Sequence, residues 1–224
     1  MSASEVHVSV DIVVLTLRDS RLRALLIRRS EEPYRGYLAL PGGSVGADED
    51  LDQAAGRVLR EETAVDIDLV HLEQVAAYGA PRRDPRARTV SVTYLAVLPD
   101  LPEPRAGVTQ SSAEWLAVED LDSAELAFDH HVILDEAVER ARSKLEYSPL
   151  AAAFCSRYFT IAELRRVYEI VWGRKLDPAN FHRKVTGADG FIRATDRTNS
   201  GGPGRPAKIF ELGDAKVVHP PILR

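Results

Sequence analysis

The tightest constraint in this sequence is a set of fixed spacings between residues 43 and 65. Gly43 is followed after five residues by Glu49 and after seven more by Arg57. Val58, Leu59, Arg60, Glu61, Glu62, Thr63, Ala64 and Val65 complete the run. Leu51, Ala54, Ala55, Val58, Leu59 and Glu62 recur at steps of three and four, which predicts a helix over 50–62. Neighbouring carboxylates on one helical face can converge on a shared cation, and Arg57 can pair with them and hold them in place. An exposed acidic helix would explain Glu61 and Glu62. It would not explain Gly43, Glu49 and Arg57 at their spacings.

Strands and a second long helix surround this run. Residues 7–16 are rich in β-branched side chains and read as a strand; a turn at Arg18-Asp19-Ser20 and a second strand over 22–27 make a hairpin. A short strand over 37–40 stops at Pro41-Gly42-Gly43. Further strands are expected at 67–78 and 90–98, on either side of an Arg-rich loop, and an edge strand at 113–118. An amphipathic helix over 129–145 places Val132, Ile133, Ala137, Val138 and Ala141 on one face, with Asp129 as its cap.

With the lead-in Gly36-Tyr37-Leu38-Ala39-Leu40-Pro41-Gly42-Gly43, the run resembles the Nudix box, the signature of hydrolases that act on nucleoside diphosphates linked to another group. The resemblance covers 7–145 and implies a Nudix α/β/α sandwich in which oxygen ligands hold Mg²⁺ on a pyrophosphate. Glu49, Glu61 and Glu62 are the matching metal positions, as a weak or vestigial site. Two family positions differ: Ala64 replaces the closing glycine, and Val58 replaces a glutamate that ligates metal or acts as base. Val58 lies three and four residues before Glu61 and Glu62, so it is expected to point where they do. Valine binds no cation and takes no proton, and loss of such a group costs powers of ten in rate. No catalytic residue is assigned. No cofactor is required on this reading, and Mg²⁺ enters only together with bound nucleotide. Residual ADP-ribose pyrophosphatase activity stays open.

The loop Tyr78-Gly79-Ala80-Pro81-Arg82-Arg83-Asp84-Pro85-Arg86 is similar to a segment of Nudix proteins of ADP-ribose and NAD metabolism, in which it faces the Nudix helix. Arginine forks match phosphate oxygens. Arg28, Arg29, Arg57, Arg83 and Arg86 are the candidate ligand-binding residues.

Charge divides the chain in two. Residues 1–146 carry 16 Lys and Arg against 27 Asp and Glu, a balance of −11; residues 147–224 carry 13 against 7, a balance of +6. Such asymmetry points to a nucleic acid or another anionic partner for the tail. Tyr147-Ser148-Pro149 offers a cap and a proline start for a new helix, which sets domains of 1–146 and 147–224. Three short helices are expected at 149–156, 160–172 and 177–185. Thr160 and Glu163 stand at capping-box spacing, and Gly173 follows the second helix. Strands at 190–194 and 207–212 enclose a loop over 197–205 rich in Gly, Ser, Arg and Pro.

Helices followed by a hairpin form a winged helix-turn-helix, whose second helix enters the major groove. Phe159, Ile161, Leu164, Val167, Tyr168 and Val171 make the core stripe, and Phe181 and Val185 anchor the next helix. Candidate DNA-binding residues are Thr160, Asn180, His182, Arg183, Lys184, Arg197, Arg205 and Lys208. The single cysteine, Cys155, excludes an intrachain disulfide. The absence of a basic-then-apolar start and of a long apolar run favours a cytoplasmic protein without membrane attachment.

A Nudix domain followed by this tail is similar to the Nudix-related transcriptional regulators of NAD biosynthesis, the NrtR family. That resemblance implies a homodimeric repressor on palindromic double-stranded operator DNA, with ADP-ribose as effector and NAD synthesis or salvage genes as targets. An active ADP-ribose pyrophosphatase with a regulatory tail is the alternative.

Overall fold

The computed structural model describes residues 5–63, 71–99, 113–123, 126–199 and 206–222, without the side chains of 62, 63, 122 and 123. Ala64, Glu62 and Arg205 as candidate positions therefore lie outside what is described of side chains. The described residues group into two compact units, Met1–Thr16 with Leu22–Val138, and Leu17–Arg21 with Glu139–Arg224. The grouping changes inside a helix, whereas the composition had suggested a break after residue 146.

In the first unit, β1 (His7–Arg18) and β2 (Arg21–Arg28) form the expected hairpin. Asp19 and Ser20 both take positive φ, 50° and 64°, the mirror-image turn whose twist suits adjacent strands. Then come β3 (Leu38–Ala39), β4 (Gly42–Ser44), α1 (Leu51–Thr63), β5 (His71–Tyr78), β6 (Thr89–Val97), β7 (Ala113–Ala117), a 3₁₀ turn at Val118–Ser123 and α2 (His130–Leu145). The mixed sheet runs β3-β2-β1-β6-β5, with β4 paired to β1 and β7 to β2. β1 lies parallel to β6, with His7 opposite Thr89 and Leu15 opposite Val97. It is buried from Val10 to Thr16, as a central strand covered on both faces must be.

Ala54, Ala55, Val58 and Leu59 of α1 pack on Val10, Ile12, Val14 and Tyr94 of the sheet. α2 buries Ile133, Leu134, Ala137, Val138 and Ala141. Val132, expected on that face, is 39% exposed, and Leu134 takes its place. β4 is an element that the glycine-rich sequence hides. A side chain at Gly42 would meet the Asp11 carboxylate and come within 2.8 Å of the Val10 carbonyl oxygen, so the strand approaches β1 as bare backbone.

The second unit contains α3 (Leu150–Ala153), α4 (Ile161–Trp172), α5 (Pro178–Gly187) and the hairpin β8 (Ile192–Asn199)–β9 (Ala207–Leu212). Pro149 stands at the N-cap of α3, and the Ser148 hydroxyl before it donates to the Lys144 carbonyl oxygen at 2.8 Å and accepts from the Leu150 N–H at 3.4 Å. The ends of α4 follow the expected chemistry, and α5 starts at a cap that was expected inside the helix. Thr160 and Glu163 form a reciprocal capping box on α4, Gly173 closes that helix at φ 64°, and Asp177 caps α5 ahead of Pro178. Phe159, Leu164, Val167, Tyr168, Val171, Phe181, Val185, Phe191 and Phe210 are buried; Ile161, expected among them, is only partly so. Two hydrogen bonds between the backbones of Phe159 and Phe210, 2.9 and 2.8 Å, dock β9 to the entrance of α4. β8 extends five residues beyond its expected end, through a bulge between Ala194 and Thr198. Arg197 thus lies in the strand and not in the loop.

Candidate functional site

A cavity of about 480 Å³ opens beside the start of β1, between the β3–β4 segment, the arginine loop and the entrance to α2. Of the five arginines expected to bind ligand, it brings together Arg29, Arg83 and Arg86. Arg28 is engaged elsewhere, donating to Glu114 at 2.8 Å and to the Gly36 carbonyl oxygen at 2.9 Å. Arg57 lines a separate shallow depression with Ser44–Glu49.

The three cavity arginines are not equivalent. Arg83, only 4% exposed at its side chain, makes two bonds to Asp129 (2.9 and 2.6 Å) and one to Asp11 (3.4 Å). Burial alone would lower its pKa; the two carboxylates outweigh burial and raise it. The arginine loop is therefore pinned through Arg83 to β1 and the start of α2. Asp129 spends its carboxylate on Arg83, while its carbonyl oxygen accepts from Val132 and Ile133. Arg86 is clamped by Asp84 through contacts of 3.0, 3.2 and 2.6 Å, which raise its pKa. Arg29 is held by carbonyl oxygens, that of Pro33 at 2.9 Å and that of Glu31 at 3.4 Å. Burial, and then the like charge of Arg86, lower its pKa. Both cations face one ring: Arg29 is 4.8 Å and Arg86 5.4 Å from the Phe128 centroid. Two close cations on one aromatic platform, with only one neutralised by a salt bridge among the described residues, are arranged to receive an anion.

Phe128 holds a left-handed φ of 57°, an unusual conformation for an aromatic residue, and Tyr34 packs edge-on against it at 4.8 Å. His130 accepts a hydrogen bond at Nδ1 from the Leu40 N–H at 2.9 Å. Burial lowers its pKa, so the neutral ring carries its proton on Nε2, 3.8 Å from Asp11. Asp11 also accepts from the Ser91 hydroxyl at 2.6 Å. Asp11, Phe128 and His130 are cavity residues that motif reading did not assign. Their partners lie far away in sequence, so no local spacing marks them.

In the Nudix-like run, Arg57 binds Glu49 at 3.0 and 2.7 Å, Glu61 at 3.3 Å and the Ser44 carbonyl oxygen at 3.0 Å. The Arg57 bonds, with a Gly46 N–H, bring the Glu49 carboxyl down to about 2. Val58 does not project with Glu61. It is 2% exposed and belongs to the core beneath Gly43, where a side chain would come 3.2 Å from its methyl group. Among the described residues there is no group of three His, Cys, Asp or Glu that could hold a metal ion. Glu49 is taken up by Arg57, and Val58 offers no oxygen.

In the second unit, Asn180, His182 and Arg183 are exposed on α5, and Arg183 donates to Asn180 at 2.7 Å. Lys208 and Arg197 are exposed on the wing, with Arg197 stacked 4.5 Å from the Tyr158 centroid. Two expected DNA residues are otherwise occupied. Thr160 is 7% exposed, and its hydroxyl accepts from the Glu163 N–H at 3.2 Å and donates to the Glu163 carboxylate at 2.9 Å. Lys184 is half-buried and donates to the Ile222 carbonyl oxygen at 2.9 Å. No helix among the described residues is long and apolar enough to cross a membrane.

Comparison with known proteins matches both units. The NUDIX domain model fits residues 6–137, and the NrtR DNA-binding winged helix domain model fits residues 152–212. The ADPR responsive transcriptional repressor NtrR of Acinetobacter baylyi is 35% identical over 206 residues, 91% of this chain and 81% of that protein. The crystal structure of Shewanella oneidensis NrtR complexed with a 27mer DNA is 34% identical, with a TM-score of 0.79 over 92% of this chain and 93% of that one. The NUDIX domain of the same protein, complexed with ADP ribose, is 34% identical with a TM-score of 0.56, over 62% of this chain and 90% of that one.

Proposed function

The chain belongs to the Nudix-related NrtR family, and from that premise we propose that it is a DNA-binding transcriptional repressor whose Nudix pocket senses ADP-ribose or a closely related NAD metabolite. The observation that carries this reading is the pairing of two features in one chain. One is a cavity in which Arg29 and Arg86 converge on Phe128; the other is a winged helix with Asn180, His182 and Arg183 exposed on its recognition helix. Arg29 and Arg86 meet the pyrophosphate, and Arg83 holds the loop that presents Arg86. Arg183, Arg197 and Lys208 meet the DNA. The repressor acts as a cytoplasmic homodimer on palindromic operators of NAD synthesis or salvage genes.

ADP-ribose releases the DNA by favouring a state with lower operator affinity. An effector can do this only through different affinities for the two states. The pocket returns its ligand intact, because Glu49 is engaged by Arg57 and Val58 supplies neither base nor metal ligand. With Mg²⁺ and ADP-ribose the protein turns over far below about 1 s⁻¹, the low end for working enzymes. Turnover at or above it would favour an ADP-ribose pyrophosphatase with a regulatory tail. The test of the main reading is a mobility shift on the promoter of an NAD gene, titrated with NAD, NADH and ADP-ribose. A specific shift reversed by ADP-ribose supports the repressor; no specific shift counts against it.

A further inference from the structure

Past β9 the chain does not trail away from the winged helix. The Gly213 N–H donates to the Phe191 carbonyl oxygen at 2.9 Å and the Ala215 N–H to that of Gly190 at 3.0 Å, so the segment first runs along the entrance to β8. It then reaches the end of α2. The Val218 N–H donates to the Tyr147 carbonyl oxygen at 2.7 Å, and the Ile222 N–H to that of Glu146 at 3.2 Å. Val218 and Ile222 are 1% and 4% exposed, so the segment is anchored by buried side chains as well as by backbone bonds. Its last described carbonyl, that of Ile222, accepts from Lys184 on α5.

Lys184 stands three residues after Phe181 and four before Ala188, beside Val185, and all three of these neighbours are buried. Its Cβ therefore lies at the border of the buried stripe of α5, one turn after the exposed Asn180 on the same side, and its side chain ends on the Ile222 carbonyl. One residue, Ile222, thus joins the end of α2 through its N–H to the recognition helix through its carbonyl.

We propose that Lys184 is a positioning residue, not a DNA contact: through the strap at residues 213–222 it sets the recognition helix against the end of α2. The inference rests on the reading of α5 as the DNA-reading helix. The strap restrains the end of α5 that base edges do not reach, and so fixes the angle at which Asn180, His182 and Arg183 are presented.

The test uses the full-length protein, Lys184→Met, Lys184→Arg, a chain ending at Ala215, and the combination of that truncation with Lys184→Met. Lys184→Met weakens operator binding about tenfold and leaves binding to a random-sequence duplex unchanged. The slope of log affinity against log salt also stays unchanged. Lys184→Arg, which keeps a donor, restores most of the affinity. The truncation produces the same loss, and the combined variant binds no more weakly than either alone, as expected for two changes to one contact. Amide exchange in α5 speeds up in both variants, an outcome that needs no DNA.

A phosphate contact by Lys184 would behave otherwise. It would lower the salt slope by about one, weaken operator and random DNA alike, and multiply with the truncation. Any of these results, or unchanged exchange in α5, overturns the proposal. Failure of the wild type to bind any operator would sink the repressor reading, while the exchange measurement would still decide the role of the strap.

Discussion

Arg29→Met separates ligand recognition from folding within a single pocket. Arg29 has two hydrogen bonds, both to carbonyl oxygens, and no carboxylate ion pair among the described residues. Its remaining contact is the stack on Phe128, worth about 0.5–1 kcal/mol. Methionine keeps much of the apolar stem and the two carbonyl bonds are partly open to water, so folding loses about 1–2 kcal/mol. A hydrogen bond from a charged group contributes about 1.5–3 kcal/mol. Loss of an Arg29–phosphate contact should therefore weaken ADP-ribose binding by about 10- to 150-fold. Arg83→Met should behave in the opposite way. Removing one partner of a buried ion pair costs about 3–5 kcal/mol, and Asp129, 24% exposed, moves the expected value toward the lower end. Titration calorimetry with ADP-ribose and thermal unfolding of both variants measure the two effects. Unchanged affinity in Arg29→Met, or Arg83→Met as stable as Arg29→Met, would refute this division of roles.

Thr160→Ala should lower stability by about 1 kcal/mol through loss of the α4 cap, while the salt slope of operator binding stays as in the wild type; thermal unfolding and shifts at several salt concentrations check both. The Glu49 carboxyl is held at about 2 by Arg57, so the stabilisation from this depressed pKa is fully present above the ordinary carboxylate range and is lost as pH falls toward 2. An NMR titration of Arg57→Met should find Glu49 raised toward its ordinary value but still below it, because the Gly46 N–H remains. The Tyr168 hydroxyl is buried without a hydrogen-bond partner among the described residues. Tyr168→Phe should therefore raise stability by about 1 kcal/mol, and a lower melting temperature would contradict that reading.

Local chemistry was well marked in the sequence, and long-range chemistry was not. The hairpin turn at Asp19-Ser20 and the Thr160–Glu163 box each involve residues within a turn of one another, and both form as their spacing implies. The cavity depends on pairs that span the chain, such as Arg83 with Asp11 and Asp129, or Leu40 with His130. No window of sequence places these together. Composition also misleads where a polar side chain has a local use. Thr160 and Lys184 look like DNA ligands in a basic tail, yet one is spent on a helix cap and the other on a backbone carbonyl. Val58 reads as a substitution on the carboxylate face, but helix α1 turns it under Gly43 into the core. β4 was hidden because Gly42-Gly43-Ser44 looks like a turn, and its pairing with β1 shows only once the close approach to Asp11 is known.

The central claim is that the pocket controls the DNA reader, and one paired titration tests it directly. Operator DNA bound to the wild type and to Arg29→Met is titrated with ADP-ribose under identical salt. The wild type should release the DNA as ADP-ribose rises, and Arg29→Met should need about 10- to 150-fold more while binding the same DNA equally well in its absence. Release at the same concentration in both proteins, or no release in either, would contradict the account.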